Sequence, residues 1–202
     1  MKILITGVSG FIGFSLAKKL LEKGNHVIGI DNINNYYSTE LKKKRIKQIK
    51  KFRNFKFYKI DINDKKKLKK ISSFKFEYIF HFAAQPGVRY SLINPSIYYH
   101  TNVLGFQNVF DTINYKNLKK AFYASSSSVY GDQKKFPIKE NFKLNAKNPY
   151  GMSKIINENL AELFSYKYTI PFIGLRLFTV YGEWGRPDMF ILKLLKHLNE
   201  KK

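Results

Sequence analysis

Tyr150 and Lys154 stand four residues apart in the segment NPYGMSK, so on a helix both project from one face. A free tyrosine titrates near pH ~10 and is a poor base at neutral pH. An ammonium one turn away stabilises the phenolate and lowers that pKa. The phenolate can then take a proton from an alcohol whose carbon is giving up hydride. Four serines, Ser125 to Ser128, follow the expected strand Leu118–Ala124, and one of their hydroxyls can share the substrate proton with the tyrosine. A Tyr-x-x-x-Lys pair also occurs by chance as an exposed helical pair, and turn formation is the competing reading for the remaining serines.

A hydride needs an acceptor, and the N-terminus offers a site for one. MKILITGVSGFIG places an apolar run, Ile3–Ile5, before Gly7, Gly10 and Gly13, and an amphipathic helix is expected over Phe14–Lys23. Glycine lets the backbone approach a pyrophosphate, and the unpaired N–H groups and dipole of a helix start favour its charge. Three glycines alone also fit a tight structural turn. The following run, HVIGI, ends at Asp31, 18 residues after Gly13. A dinucleotide fold places the carboxylate for the adenosine ribose there, and a carboxylate repels a 2′-phosphate, so NAD is favoured over NADP.

The elements that must position these groups alternate along the chain. Helices are expected over 38–50, 64–72 (capped by Asp64), 95–114, 150–167 and 188–199. Strands are expected over 55–60, 78–82, 118–124 and 171–177. Such alternation predicts an α/β fold, a doubly wound parallel sheet (Rossmann fold). Ligands in that fold lie at the carboxyl ends of strands. That rule selects Gly7–Gly13, Asp31, Asp61, Ala83–Gln85, Ser125–Ser128 and Phe178–Tyr181 for one crevice. Asp61 either bonds the adenine amino group or caps the next helix, while Ala83 and Ala84 are small where a cofactor backbone would pass.

The 202 residues support one sizeable core. There are no cysteines, which excludes disulfides and thiolate metal sites. No apolar run approaches the ~20 residues of a membrane span, and the expectation is a cytoplasmic protein. The formal charge of +23 comes from 37 basic residues that include only Arg45, Arg53, Arg89, Arg176 and Arg186 as arginines. The clusters Lys42–Arg45, Lys65–Lys70 and Lys116–Lys120 read as solvated surface rather than a nucleic-acid stripe. The charge should help to attract an anionic sugar nucleotide.

With these segments assembled, the chain resembles the extended short-chain dehydrogenase/reductase family of sugar-nucleotide epimerases, and most of all its members that act on UDP-glucuronate. DNINNYY, HFAAQPGVRYS, YASSSSVYG, NPYGMSK and FTVYGEWGRPDM carry the resemblance, which runs from Met1 to about Asn199. It implies Ser126, Tyr150 and Lys154 as the catalytic triad and NAD as cofactor. The implied cofactor contacts are Gly7, Gly10, Phe11, Ile12, Gly13, Asp31, Asn32, Asp61, Ile62, Ala83, Ala84 and Gln85, with Tyr150 and Lys154. The implied reaction inverts C4 of a UDP-sugar through a 4-keto intermediate, most simply UDP-glucuronate to UDP-galacturonate.

Related dehydratases and decarboxylases carry carboxylates just before Val-Tyr-Gly, where this chain has the neutral donors Ser127 and Ser128. Eliminating water needs an extra acid/base group, and a glutamate would repel a substrate carboxylate, so epimerisation is favoured. Ser127, Ser128 and Thr179 are expected to hold that carboxylate, with Arg186 near the sugar or diphosphate. Arg89 is a further candidate, with fixation of its own loop after Gly87 as the competing reading. Glu183, Pro86 and Gly151–Met152–Ser153 depart from the subgroup's usual residues without touching the triad. Family members are considerably longer, so the chain is expected to be a fragment: a dinucleotide domain over 1–177 and the start of a substrate-binding region over 178–202. The resemblance also implies a homodimer through the two long helices, and competing readings are a non-catalytic NAD-binding fragment, a related UDP-hexose 4-epimerase or UDP-glucuronate decarboxylase, or a nucleic-acid binder.

Overall fold

A computed structural model describes residues 1–200, so the last two residues of the expected 178–202 region lie outside the described residues. Six strands form one parallel sheet: β1 (Lys2–Thr6), β2 (His26–Asp31), β3 (Phe55–Lys59), β4 (Tyr78–His81), β5 (Lys120–Ala124) and β6 (Phe172–Leu175). Their order is β3-β2-β1-β4-β5-β6, with every neighbouring pair parallel. The chain reverses its direction of winding between β1 and β4, and that is where such a sheet opens a crevice at its carboxyl edge.

Strand periodicity divides the core. Ile3 and Ile5 face one side, packing with Val27 and with Phe14, Ala17 and Leu21 of α1 (Phe11–Glu22). Ile46 and Ile49 of α2 (Thr39–Ile49) complete that layer. Leu4, Ile28 and Ile30 face the other side, against Leu68 and Ile71 of α3 (Lys65–Ser72) and a phenylalanine cluster, Phe106, Phe110 and Phe164. The alternation Ile3/Leu4/Ile5 therefore serves two layers, as a strand covered on both faces requires. Asp64 caps α3, its carboxylate accepting from the Lys67 amide at 3.0 Å.

The helix expected over 95–114 is interrupted. A short helix, α4 (Val88–Ile93), precedes it, then α5 (Pro95–Tyr98) runs through a π-helical stretch, Tyr99–Leu104, into α6 (Gly105–Thr112). Asn102 lies in the π stretch, and both ends of its side-chain amide are used on other segments (below), which favours the wider turn. After β5, a 3₁₀ turn (Ser127–Val129) leads to the long helix α7 (Pro149–Tyr168), and α8 (Phe190–Glu200) follows β6. Among the described residues no helix is long and apolar enough to cross a membrane.

Lys42 and Arg45 depart from the expected solvated cluster. Lys42 is 5% exposed and Arg45 0%. With Ile46 and Ile49 they complete the i, i+3, i+4, i+7 face that α2 turns inward.

Candidate functional site

The glycine turn is built by collision avoidance. Gly7 takes φ +69°, its N–H bonds the Ile30 carbonyl at 2.8 Å, and a Cβ on it would lie 2.6 Å from the Ala83 nitrogen. A Cβ on Gly13 would lie 2.4 Å from the Gly7 carbonyl oxygen. Gly13 sits inside α1, which starts three residues earlier than expected, at Phe11. No side chain caps that helix, so the first-turn N–H groups of Phe11, Ile12 and Gly13 are the donors a helix leaves without internal acceptors. Phe11, Ile12 and the three glycines line a cleft of about 910 Å³.

Asp31, at the end of β2, lines the same cleft. Its carboxylate accepts from the Ser9 amide at 3.0 Å and the Ile33 amide at 2.7 Å. Asn32 lies beside it and donates to Asp61 at 2.8 Å. Asp61 does not cap α3. It accepts from the Asn63 amide at 2.8 Å and stands between Ile60 and Ile62, which line the cleft while its own side chain does not. Lys42 reaches the same end, its ammonium donating to the Asn34 carbonyl at 2.8 Å.

Across the cleft, α7 presents Tyr150 and Lys154. Asn148 caps the helix, accepting from the Gly151 amide at 2.8 Å. Gly151 presses against the serine segment, where a Cβ would meet the Ser128 carbonyl at 2.6 Å. Lys154 is 3% exposed, and its Nζ stands 5.9 Å from the centre of the Tyr150 ring. Burial pulls the Lys154 ammonium down to about 8. Burial also pushes the Tyr150 phenol up, opposed by a hydrogen bond from Ser126 and by the charge of Arg186. The lowering expected from Lys154 does not offset that burial, because the low-dielectric surroundings that raise the phenol also discourage the lysine's own charge.

The serines divide their work. The Ser125 hydroxyl donates to Glu158, which also holds Arg176 through a two-pronged ion pair, so Ser125 serves the frame. The Ser126 hydroxyl accepts from the Ser128 amide at 3.1 Å, and the Ser127 amide bonds the Leu177 carbonyl at 2.9 Å. Ser126, Ser127, Ser128 and Thr179 all line the cleft, as do Arg89 and Arg186. Arg89 is exposed, whereas Arg186 pairs with Asp188 and lies against the rings of Tyr36 and Tyr37.

Ala83 and Ala84 form cleft wall, but Gln85 does not. Gln85 is buried, with its amide donating to Asn102 at 2.7 Å and its carbonyl accepting from Asn102 at 3.1 Å. Asn102 also bonds Ser153, and Asn157 bonds the Asn102 carbonyl, so the strand-end segment is laced to α7. Beneath it, Thr6 bridges His81 and the Ala83 amide, each at 3.0 Å, and burial holds His81 neutral, at about 3.

Lys42, Arg45, Asn102 and Glu158 escape a reading of the sequence. For Lys42 and Arg45 the signal was their helical spacing from Ile46 and Ile49. For Glu158 it was the spacing Tyr150, Lys154, Glu158, one face of α7 continued for a further turn.

The sequence profile of the NAD dependent epimerase/dehydratase family matches residues 3–202. Protein CapI of Staphylococcus aureus is 46% identical over 97% of this chain and 59% of its own length. A UDP-glucuronate 4-epimerase of Thermodesulfobacterium geofontis is 39% identical over 98% of the chain and 62% of its own length. Among solved structures, the UDP-glucuronic acid 4-epimerase of Bacillus cereus in complex with UDP-glucuronic acid and NAD superposes with a TM-score of 0.89 at 34% identity. That match covers 100% of this chain and 64% of the other. The chain thus spans roughly three fifths of the length of these relatives.

Proposed function

The chain belongs to the NAD dependent epimerase/dehydratase family, and on that premise we propose that it is the NAD-binding and catalytic part of a UDP-sugar 4-epimerase that acts on UDP-glucuronate. Residues 1–177 are the NAD-binding domain, since the sheet ends at Leu175. The segment from 178 onward begins the substrate-binding region, and Phe178, Thr179 and Arg186 already line the cleft.

The residues present fit NAD. Cβ atoms at Gly7 and Gly13 would collide with the backbone of the turn, and the bare first turn of α1 offers N–H groups to a pyrophosphate. Phe11, Ile12, Ala83 and Ala84 would flank it. Asp31 would accept from the ribose hydroxyls, with Asn32 and Ile62 toward the adenine and Asp61 behind them, holding Asn32. Gln85 serves through Asn102 by keeping the Ala83–Ala84 wall in place. When bound, NAD supplies the acceptor that takes hydride from C4 of the sugar and returns it.

The chain's own part is proton transfer and positioning. Tyr150 takes the 4-hydroxyl proton, Ser126 hydrogen-bonds the same oxygen, and Tyr150 returns the proton when the 4-keto sugar presents its opposite face. Burial raises the Tyr150 phenol, so the base role depends on nearby cations, and Lys154 and Arg186 are the ones placed to act. A 4-ketouronate is a β-keto acid that loses carbon dioxide when its carboxylate bond aligns with the ketone π system. Ser127, Ser128 and Thr179 would hold the carboxylate near the ketone plane and suppress that loss.

The observation that carries this reading is the shared cleft wall of Tyr150, Ser127, Ser128 and Thr179: neutral donors beside the base, with no carboxylate among them. The relative crystallised with UDP-glucuronic acid and NAD supports it. A homodimer goes with the reading. On α7, Met152, Ile156, Leu163 and Tyr166 recur at heptad spacing, and Leu163 and Tyr166 are 65% and 89% exposed.

Proton NMR of the chain with UDP-glucuronate, together with an assay of bound NAD, tests the proposal. UDP-galacturonate signals establish the epimerase. NAD retained without turnover reduces the reading to a non-catalytic NAD-binding unit, and loss of both removes it.

A further inference from the structure

Among the described residues Arg45 has the largest fully buried side chain. Its guanidinium donates to the Ser9 carbonyl at 3.0 Å, the Tyr37 hydroxyl at 2.7 Å, the Gly185 carbonyl at 3.1 Å and the Trp184 carbonyl. All four acceptors are neutral, and Nε has no partner. Burying a guanidinium without a facing carboxylate is costly, and an apolar side chain would fill the same volume. What the charge provides is a rigid planar fork that reaches two loops at once.

Both loops adjoin the cleft, since Gly7 and Gly10 on either side of Ser9 line it and so does Arg186, next to Gly185. Ser9 lies within the glycine turn, its amide held by Asp31 and its carbonyl by Arg45. Trp184 and Gly185 belong to a turn closed by the Gly185 amide on the Gly182 carbonyl at 3.1 Å. Trp184 adopts φ +62°, a left-handed conformation that non-glycine residues rarely hold without outside support. Its support is the Arg45 contact to its carbonyl and its ring packing on Phe14, 5.4 Å between centroids.

Arg186 follows directly. It lies 5.8 Å from the Tyr36 ring and 5.9 Å from the Tyr37 ring, the same Tyr37 whose hydroxyl Arg45 holds. Arg45 therefore reaches Arg186 by two routes, through the adjacent backbone and through Tyr37.

We propose that Arg45 is a positioning residue that ties the Gly182–Arg186 turn to the dinucleotide turn and so aims Arg186 at the anionic substrate. The substrate half of this rests on the function proposed above. The tether stands on the contacts alone.

Trp184 is the single tryptophan of the chain, so its fluorescence reports the turn directly. In Arg45→Met we expect a red-shifted emission and at least a twofold rise in iodide quenching. UDP-glucuronate affinity should fall at least tenfold while NAD affinity stays within threefold. Arg45→Lys keeps the charge without the fork and should match Arg45→Met in the Trp184 readout. Wild-type emission and quenching in Arg45→Met would overturn the tether, and equal losses of both ligands would reduce Arg45 to general support. If Arg45→Met does not fold, Tyr37→Phe removes only one hydroxyl. It should give a smaller red shift and about a threefold loss of UDP-glucuronate affinity, and wild-type behaviour there overturns the proposal. A wild-type chain that binds no UDP-glucuronate would remove the substrate reading, and the Trp184 signal would still decide the tether.

Discussion

The Ser125 hydroxyl donates to the Glu158 carboxylate at 2.5 Å, joining the end of β5 to α7. Glu158 lies one turn beyond Lys154 and two beyond Tyr150, so one carboxylate sets the spacing between the serine segment and the tyrosine–lysine face. Arg176 holds that carboxylate in turn, at 2.9 and 2.8 Å, and stacks on Tyr130. Glu158→Gln breaks the ion pair and leaves a half-buried guanidinium unmatched. Chemical denaturation should show a loss of about 2 kcal/mol, and turnover should fall about tenfold as Ser126 drifts from Tyr150.

Tyr150→Phe removes the proposed proton-transfer group and little else, because the ring keeps its edge contact with Tyr98 at 6.0 Å. The NMR assay should show turnover reduced by roughly 10²- to 10⁴-fold, the usual worth of a positioned acid/base. NAD binding, followed by fluorescence of the reduced form, should be unchanged within about twofold, an approximate margin well below the tenfold that corresponds to ~1.4 kcal/mol.

Lys154 gives a pH signature. Its folded pKa, about 8, lies below the ordinary 10.5. Between these values the unfolded chain binds more protons than the folded one, so this group makes stability rise with pH through that window and contributes no slope below it. The stability of wild type relative to Lys154→Met in denaturant unfolding should therefore rise from pH 8 toward pH 10, by a few kcal/mol at most (~1.4 kcal/mol per pKa unit). Turnover in the NMR assay should run the other way, falling as pH passes about 8 and the ammonium is lost.

Gly13→Ala sets a Cβ 2.4 Å from the Gly7 carbonyl oxygen, where only backbone can yield. Thermal unfolding should register about 1–3 kcal/mol of destabilisation, with NAD affinity lost at the same time. Asp31→Ala should weaken NAD about tenfold or more at a smaller cost in stability, since it frees the Ser9 and Ile33 amides without forcing a clash.

Leu163→Asp places a charge on the exposed heptad stripe of α7. Sedimentation should show the dimer shifted toward monomer with the fold intact by circular dichroism. A monomeric wild type would remove the dimer proposal outright.

The sequence by itself determined the parallel α/β fold, the glycine turn, Asp31 at the end of β2, the Asp64 cap and the Tyr150–Lys154 pairing. Each of these is written in spacing over a few residues: strand and helix periods, a turn that only glycine fits, an acid at a strand end. Tertiary structure alone decided that Lys42 and Arg45 are buried, that Gln85 works from behind the wall, that Asp61 grips Asn32 and Asn63, and that the helix after Pro95 passes through a π-helical stretch. Those outcomes depend on partners far along the chain. Arg45 meets Trp184 and Gly185 about 140 residues away, and no local pattern carries the energy of a hydrogen bond to a carbonyl that only folding brings near.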